Sequence, residues 1–211
     1  MRTGVYVMFS YKVHDNHFTV RDEYSGIESY HGIDFGWYSI TPAIAESFLA
    51  SLCEHITNVR DAGVKIGVLN HQLRNHDLSK FGLEEFPHYA RNFFGDKADP
   101  DGFAGAWLHH IHANNHHWQH YIFPDGFTPR GSTVENGCVE MPGHYALEMV
   151  ADWMGASKTY SGSWDIMEWL YKNMPKIRVH SKTANHLRGI LDSLGYADVV
   201  YVQRFSHEVT E

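Results

Sequence analysis

Histidines and carboxylates that recur at helical spacing are the residues of this sequence that could do chemistry. Histidine accounts for 17 of the 211 residues, as many as lysine and arginine together. His55 lies three positions after Leu52 and four before Val59 on an apolar stripe, and His76 stands beside Asp77. An imidazole or carboxylate buried on such a stripe is costly without a partner, and a shared divalent cation removes that cost. The pattern therefore favours a metal site.

Two further predicted helices carry the same residue types. A helix over 103–121 places on one face Phe103, Trp107, His110, Asn114, His117 and Tyr121. A helix that begins at Pro142 places on one side Tyr145, Glu148, Met149, Asp152 and Ala156. His109 and His116 form an alternative pair with the same spacing as His110 and His117, on the adjacent face. The pair His110 and His117 is preferred, because Trp107 lies on the same stripe and indicates that this face is buried.

The order of these residues resembles a known family. His55, the pair His76-Asp77 in the segment HDLSKF, and Asp152 follow one another as H…HD…D within residues 41–194. This order resembles the HD-domain superfamily of metal-dependent phosphohydrolases. The wording HDLSKF…EEF…HHIHANNHHWQHY…MPGHYALEMVADW is also similar to a group of small uncharacterised bacteriophage HD-domain-like proteins.

The superfamily resemblance implies a ligand set and a cofactor. The implied ligands of one divalent metal are His55, His76, Asp77 and Asp152. Such a set of nitrogen and oxygen donors suits Mn²⁺, Fe²⁺, Co²⁺, Ni²⁺ or Zn²⁺ better than Mg²⁺. One metal is expected rather than two. His110 and His117 are the candidates for ligands of a second metal if one is present, or for a general acid and a phosphate-binding group.

Lys80 is a departure from the superfamily pattern. Many nucleotidase members have a glutamate three residues after the aspartate of the HD pair, where this chain has Lys80. Glu84 or Glu85 could supply that carboxylate instead, and Lys80 would neutralise a phosphate oxygen with help from Arg74 or Lys158. The predicted catalytic residues are thus His110, His117, Glu84 and Lys80, and the predicted substrate-binding residues are Lys80, Asn114, Trp118 and Arg74.

The resemblance and the residues together lead to a prediction of function. The leading hypothesis is a phosphohydrolase that acts on a small phosphate ester, in the first place a nucleotide or deoxynucleotide, through a metal-activated water. A di-iron oxygenase of the same superfamily is the second hypothesis. A non-catalytic module that senses nucleotides or binds a host factor is the third.

The elements that must position these residues are mostly helical. Alternation over 4–20 predicts a β-hairpin, 21–39 a loop, and 199–202 a strand that pairs with the hairpin. Helical periods fall at 41–63, 64–80, 83–94, 103–121, from Pro142 onward, 163–174 and 181–194.

The predicted fold is mainly α, an HD-domain-like bundle of six to seven helices with a small β-element formed by the N-terminal hairpin and the C-terminal strand. The predicted domains are 1–40, a hairpin and loop appendage; 41–194, the metal-binding helical domain; and 195–211, a strand and tail. Residues 122–140 are typical of a lid or pocket wall.

Composition excludes several classes of function. The net charge of −8 argues against binding to duplex nucleic acid or to an anionic membrane. Cys53 and Cys138 form no disulfide framework, and no apolar run approaches the roughly 20 residues of a membrane span. We expect a cytoplasmic protein, in the host cytoplasm if it is phage-encoded, whose partner is a small phosphate substrate. A homo-oligomer is compatible with the sequence.

Overall fold

The computed structural model describes residues 8–124 and 130–197. Within these residues it is mainly helical with a small antiparallel sheet at the N-terminal end, as predicted. The strands are β1 (Phe9–Val13), β2 (His17–Asp22) and β3 (Ile27–Gly32), and the α-helices are α1 (Pro42–Ile66), α2 (Asn70–Asn75), α3 (Phe86–Phe94), α4 (Pro100–Ala113), α5 (Gly143–Ser161), α6 (Met167–Asn173) and α7 (Ser181–Ser193). Short 3-10 helices occupy Leu78–Phe81, Trp118–Tyr121 and Met174–Lys176.

The three strands form one sheet in the order β1-β2-β3. The predicted hairpin is confirmed, with β1 and β2 antiparallel. The loop predicted over 21–39 is wrong for β3, which pairs with β2 after a turn at Gly26. β3 was missed because nearly all its residues are exposed, so it lacks the apolar alternation of a half-buried strand. The predicted strand at 199–202 lies outside the described residues.

The chain divides into two compact units. The first takes the chain up to Thr57 together with Asn75–Ala113. The sheet belongs to the core of this unit, since the ring centroids of Phe18 on β2 and Phe86 on α3 lie 4.3 Å apart. The second unit takes Asn58–Arg74 and the chain from Asn114 onward. The domain boundaries after residues 40 and 194 stay a prediction.

The second unit packs its helices around large apolar side chains, with a close approach at Gly63 of α1. Its largest apolar cluster includes Met149 of α5, Leu170 of α6 and Leu187 of α7. Gly63, the predicted end of the first helix, lies inside α1. A methyl group at this position would collide with the side chain of Leu73, so the close packing there favours glycine. Gly67, with a φ of 90°, follows the last residue of α1 instead.

Several predicted helix starts are confirmed, whereas several lengths are wrong. Thr41 caps α1, with its Oγ1 3.2 Å from the backbone nitrogen of Ile44. Pro142 precedes α5 as predicted, and α7 matches the helix predicted over 181–194. The helices predicted over 64–80, 83–94, 103–121 and 163–174 are shorter than expected.

The ends of the predicted excursion over 122–140 are joined. Ile122 forms an isolated β-bridge with Cys138, and the backbone nitrogen of Phe123 donates to the carbonyl of Gly137 at 2.8 Å. Residues 125–129 lie outside the described part of the chain, so a lid or pocket wall there stays a prediction. None of the described helices combines the length and the apolar character that crossing a bilayer requires.

Candidate metal centre

His76 and Asp77 lie in the turn that follows α2. The helix ends at Asn75, and Asp77 has a φ of 57°, in the left-handed region. Aspartate is one of the few residues besides glycine that adopt this conformation singly, since its short side chain can bond locally. The helix predicted over 64–80 is therefore wrong at this pair, which follows the end of α2. In a helix, neighbouring side chains point roughly 100° apart, and this constraint does not apply to His76 and Asp77 in the turn.

Three imidazole nitrogens surround the Asp77 carboxylate within the first unit. His55 Nε2 lies 3.2 Å from Asp77 Oδ2, and His76 Nε2 lies 3.7 Å from the same oxygen. His110 Nε2 lies 3.5 Å from Asp77 Oδ1. All four side chains, which we name the Asp77 cluster, are buried. Lys80 Nζ lies 2.6 Å from Asp77 Oδ2, and its side chain is 16% exposed.

These neighbours determine the ionisation of Asp77. Burial by itself raises the pKa of its carboxyl group, and the charge of Lys80 is the largest opposing effect. The charges of His76 and His110 and the hydrogen bond from His55 add to that effect, so the pKa of Asp77 lies well below its usual value. Asp77 is therefore an anion at neutral pH, the form that binds a metal.

Glu85 contacts His110 through the other ring nitrogen. His110 Nδ1 lies 2.8 Å from Glu85 Oε2, and His109 Nδ1 lies 2.7 Å from Glu85 Oε1. Glu85 is fully buried, which raises the pKa of its carboxyl group. The hydrogen bond and charge of His110, with hydrogen bonds from Ser79 and His109, outweigh burial and leave that pKa below its usual value. Glu85 is thus an ionised acceptor.

The surroundings of the His110 ring disfavour its protonated form, which cannot bind a metal. Burial lowers the pKa of His110, and the charge of Lys80 lowers it further. Asp77 and Glu85 act in the opposite direction, and the net pKa lies below the usual value. Since the Nδ1–H group donates a hydrogen bond to Glu85, the lone pair of the neutral ring is on Nε2, the nitrogen that lies 3.5 Å from Asp77 Oδ1.

The donor set of the Asp77 cluster fits a divalent transition metal. The ligand atoms of His55, His76 and Asp77 lie within 4.8 Å of one another, a spacing that could hold one ion. Imidazole nitrogens suit Zn²⁺, Fe²⁺, Co²⁺ or Ni²⁺, whereas Ca²⁺ and Mg²⁺ prefer sets made of oxygen alone. His110 lies outside that group but contacts the other carboxylate oxygen of Asp77, and its ring is oriented by a buried carboxylate as is usual for histidines that bind metals.

A histidine of the second unit has a similar environment. His116 is buried, with Nδ1 3.3 Å from Glu148 Oε1 and Nε2 4.0 Å from Asp152 Oδ2. Gln72 Nε2 donates to Glu148 Oε2 at 2.7 Å. Each unit therefore has a buried glutamate at one ring nitrogen of a histidine and an aspartate oxygen within 4.0 Å of the other. Asp152 as a ligand of the first metal stays a prediction from the resemblance.

The structure corrects the predicted face of histidines. α4 ends at Ala113, so a helical face through His117 and Tyr121 does not exist. Trp107, expected to be buried, is 39% exposed. Of the four histidines in the two alternative pairs, the buried ones are His110 and His116, one from each pair.

The remaining predicted residues occupy varied positions. His117 is half-buried and begins a 3-10 helix, with its ring 4.3 Å from that of His116. Glu84 is exposed, whereas its neighbour Glu85 is the buried carboxylate. In the second unit Asn114 is buried, Trp118 packs against the apolar core, Arg74 is exposed, and Lys158 Nζ donates to the Gly162 carbonyl at 2.9 Å.

Two residues of these clusters were not singled out by sequence reasoning. Glu85 was only an alternative to Glu84, and nothing in the pattern of 83–94 shows which of the two is buried. Gln72 lies between two histidine-containing segments but carries no metal-ligand signal.

Comparison with known proteins places the chain in a family and gives no activity. A family model described as "Family of unknown function (DUF5662)" matches residues 45–193, most of the chain. The match covers all members of the Asp77 cluster as well as Glu85, Glu148 and Asp152. No curated protein and no solved structure matches the chain.

Proposed function

We propose that this chain, which belongs to the family of unknown function DUF5662, is a metal-dependent phosphohydrolase that acts on a small phosphate ester. A nucleotide or deoxynucleotide is the substrate class we propose first. The observation that supports this is the Asp77 cluster, one ionised carboxylate among three imidazoles with the Lys80 ammonium 2.6 Å away. The reaction class comes from the resemblance of residues 41–194 to the HD-domain superfamily.

In this proposal His55, His76, Asp77 and His110 hold the metal, and Asp152 is the further ligand that the resemblance implies. The ion, when bound, supplies Lewis-acid chemistry: it polarises a phosphoryl oxygen and lowers the pKa of a water molecule. The protein residues supply fixed ligand geometry. Glu85 keeps the His110 ring in one tautomer, so its Nε2 needs no reorganisation to act as a ligand.

The charge balance of the cluster favours an anionic substrate. Asp77 alone leaves a divalent ion with one unit of excess positive charge, whereas Asp152 as a further ligand would leave none. Lys80 adds one unit of positive charge in either case. A chain with a net charge of −8 needs such a local positive centre to attract a phosphate. Lys80, partly exposed beside Asp77, is the residue that would bind a phosphate oxygen.

Phosphate release from a panel of ribonucleotides and deoxynucleotides, with Mn²⁺, Co²⁺ or Ni²⁺ added to the purified chain, tests the proposal. We expect release from one nucleotide class by the wild type and none by Asp77→Asn. Asp99→Asn is the matched control, because Asp99 also contacts a histidine, His88 at 3.1 Å, but is outside the Asp77 cluster. Metal-loaded wild type that releases no phosphate from any substrate contradicts the proposal.

The same assay separates the rival hypotheses. A phosphohydrolase works without O₂, so phosphate release is expected to be equal under air and under argon. A di-iron oxygenase would instead consume O₂ and show a mixed-valent iron signal. Tight nucleotide binding without turnover would favour the non-catalytic sensing module.

A further inference from the structure

Glu85 lies where it contacts two histidines at once. It immediately precedes α3, and its two carboxylate oxygens lie 2.7 Å from His109 Nδ1 and 2.8 Å from His110 Nδ1. Glu85 is completely buried, and the side chain of His109 is 43% exposed. An ionised carboxylate only accepts hydrogen bonds, so both Nδ1 atoms must carry the proton.

The proton on Nδ1 of His110 determines what the other ring nitrogen, Nε2, can bind. With the proton on Nδ1, the neutral ring has an Nε2 lone pair 3.5 Å from Asp77 Oδ1, which is also an acceptor. Two acceptors at this separation repel each other, and a cation bound by both removes the repulsion. The opposite tautomer would place a proton on Nε2 and exclude a metal from that nitrogen.

The second unit supports this reading with an independent example. His116 Nδ1 lies 3.3 Å from Oε1 of the buried Glu148, and its Nε2 lies 4.0 Å from Asp152 Oδ2. A glutamate at Nδ1 and an aspartate on the side of Nε2 thus recur on a second buried histidine.

We propose that Glu85 is a positioning residue that fixes the tautomer and orientation of His110 as a metal ligand. This inference rests on the proposed function. His109 holds the second oxygen of Glu85 and keeps the carboxylate directed at His110. Since His109 is half exposed, water can replace its hydrogen bond, and its removal is expected to have a smaller effect than the removal of the Glu85 charge.

Glu85→Gln tests the role with little change in shape. Glutamine offers one acceptor and one donor where glutamate offers two acceptors, so the charge and one accepting atom are lost. Loss of such a partner typically weakens metal affinity by about 10- to 100-fold. A merely structural role for Glu85 would instead lower the melting temperature and leave metal affinity unchanged.

The experiment is a calorimetric titration of the full chain with Co²⁺ alone, for the wild type, Glu85→Gln and Asp99→Asn. We expect Co²⁺ affinity to fall by about 10-fold or more in Glu85→Gln and to stay at the wild-type value in Asp99→Asn. Unchanged affinity in Glu85→Gln overturns the inference.

A second measurement covers the case in which Glu85→Gln does not fold. Nitrogen NMR of the metal-free wild type reports which ring nitrogen of His110 is protonated, and we expect Nδ1. Protonation on Nε2 overturns the inference. Wild type that binds Co²⁺ and hydrolyses nothing contradicts the proposed function alone, so the two failures are distinguishable.

Discussion

Asp77 combines an unusual backbone conformation with an unusual electrostatic environment. Its φ of 57° is one that asparagine also adopts readily, whereas alanine there costs roughly 1–2 kcal/mol. Asp77→Asn therefore removes the charge with little change to the backbone. Experiments on the cluster gain from this choice, because an alanine variant would mix strain with the loss of a ligand.

The lowered pKa of Asp77 makes a prediction about acid stability. A carboxyl group whose pKa is lower in the folded state stabilises the fold above its unfolded pKa, and this contribution is lost as pH falls through the folded pKa. For Asp77 that loss begins near the usual value of 3.8 and continues below it. Urea unfolding of the metal-free protein, from neutral to acidic pH, should show a steeper loss of stability in wild type than in Asp77→Asn. Parallel curves would contradict the assignment.

Lys80 gives a prediction for substrate binding. Its ammonium lies at the Asp77 cluster and is partly exposed. If it binds a phosphate oxygen, Lys80→Gln should raise KM for the nucleotide by roughly 10- to 100-fold, since a hydrogen bond to a charged group contributes about 1.5–3 kcal/mol. Metal content should not fall. A change in metal content without a change in KM would contradict a role in substrate binding.

At the scale of elements, sequence reasoning succeeded where local chemistry decides the structure. Thr41-Pro42 predicted the start of α1, and Pro142 predicted the start of α5. The helical period of the sequence gave a wrong prediction where packing or a turn ends the helix earlier. The histidine-rich run continues a helical spacing past Ala113, yet the chain leaves the helix before the two asparagines that follow.

The cluster itself could be predicted only in part. The sequence order predicted His55, His76 and Asp77, and the structure brings these together within one unit. Glu85 could not be chosen over Glu84, because that choice depends on which residue faces α4 at the start of α3. Selection of His110 over His109 as the buried residue needed the exact phase of α4.

Helix packing gives a prediction at the same scale. A methyl group at Gly155 would collide with the backbone of Val59 on α1, which cannot move aside as a flexible side chain can. Gly155→Ala should therefore destabilise the protein, by about 1–3 kcal/mol. Gly189 on α7 has no atom within 4 Å of an added methyl group, so Gly189→Ala should stabilise by roughly 0.5–1 kcal/mol. Urea unfolding measures both, and equal effects would contradict the packing.

At the scale of the whole molecule, metal binding and stability are linked. An ion that binds only the folded state stabilises it by about 2.7 kcal/mol at a free concentration 100 times Kd. For a domain of this size each kcal/mol raises Tm by roughly 2–4 °C. Co²⁺ should therefore raise the Tm of the wild type and leave that of Asp77→Asn nearly unchanged. An equal rise in both proteins would indicate binding at other histidines.

The metal content of the purified protein shows whether the Asp77 cluster is a metal centre. The wild type and Asp77→Asn are purified, loaded with Co²⁺, freed of loosely bound ions and measured by elemental analysis. The Asp77 cluster predicts about one ion per chain in the wild type and almost none in the variant. Wild type without metal, or equal metal in both proteins, would contradict a metal centre at Asp77.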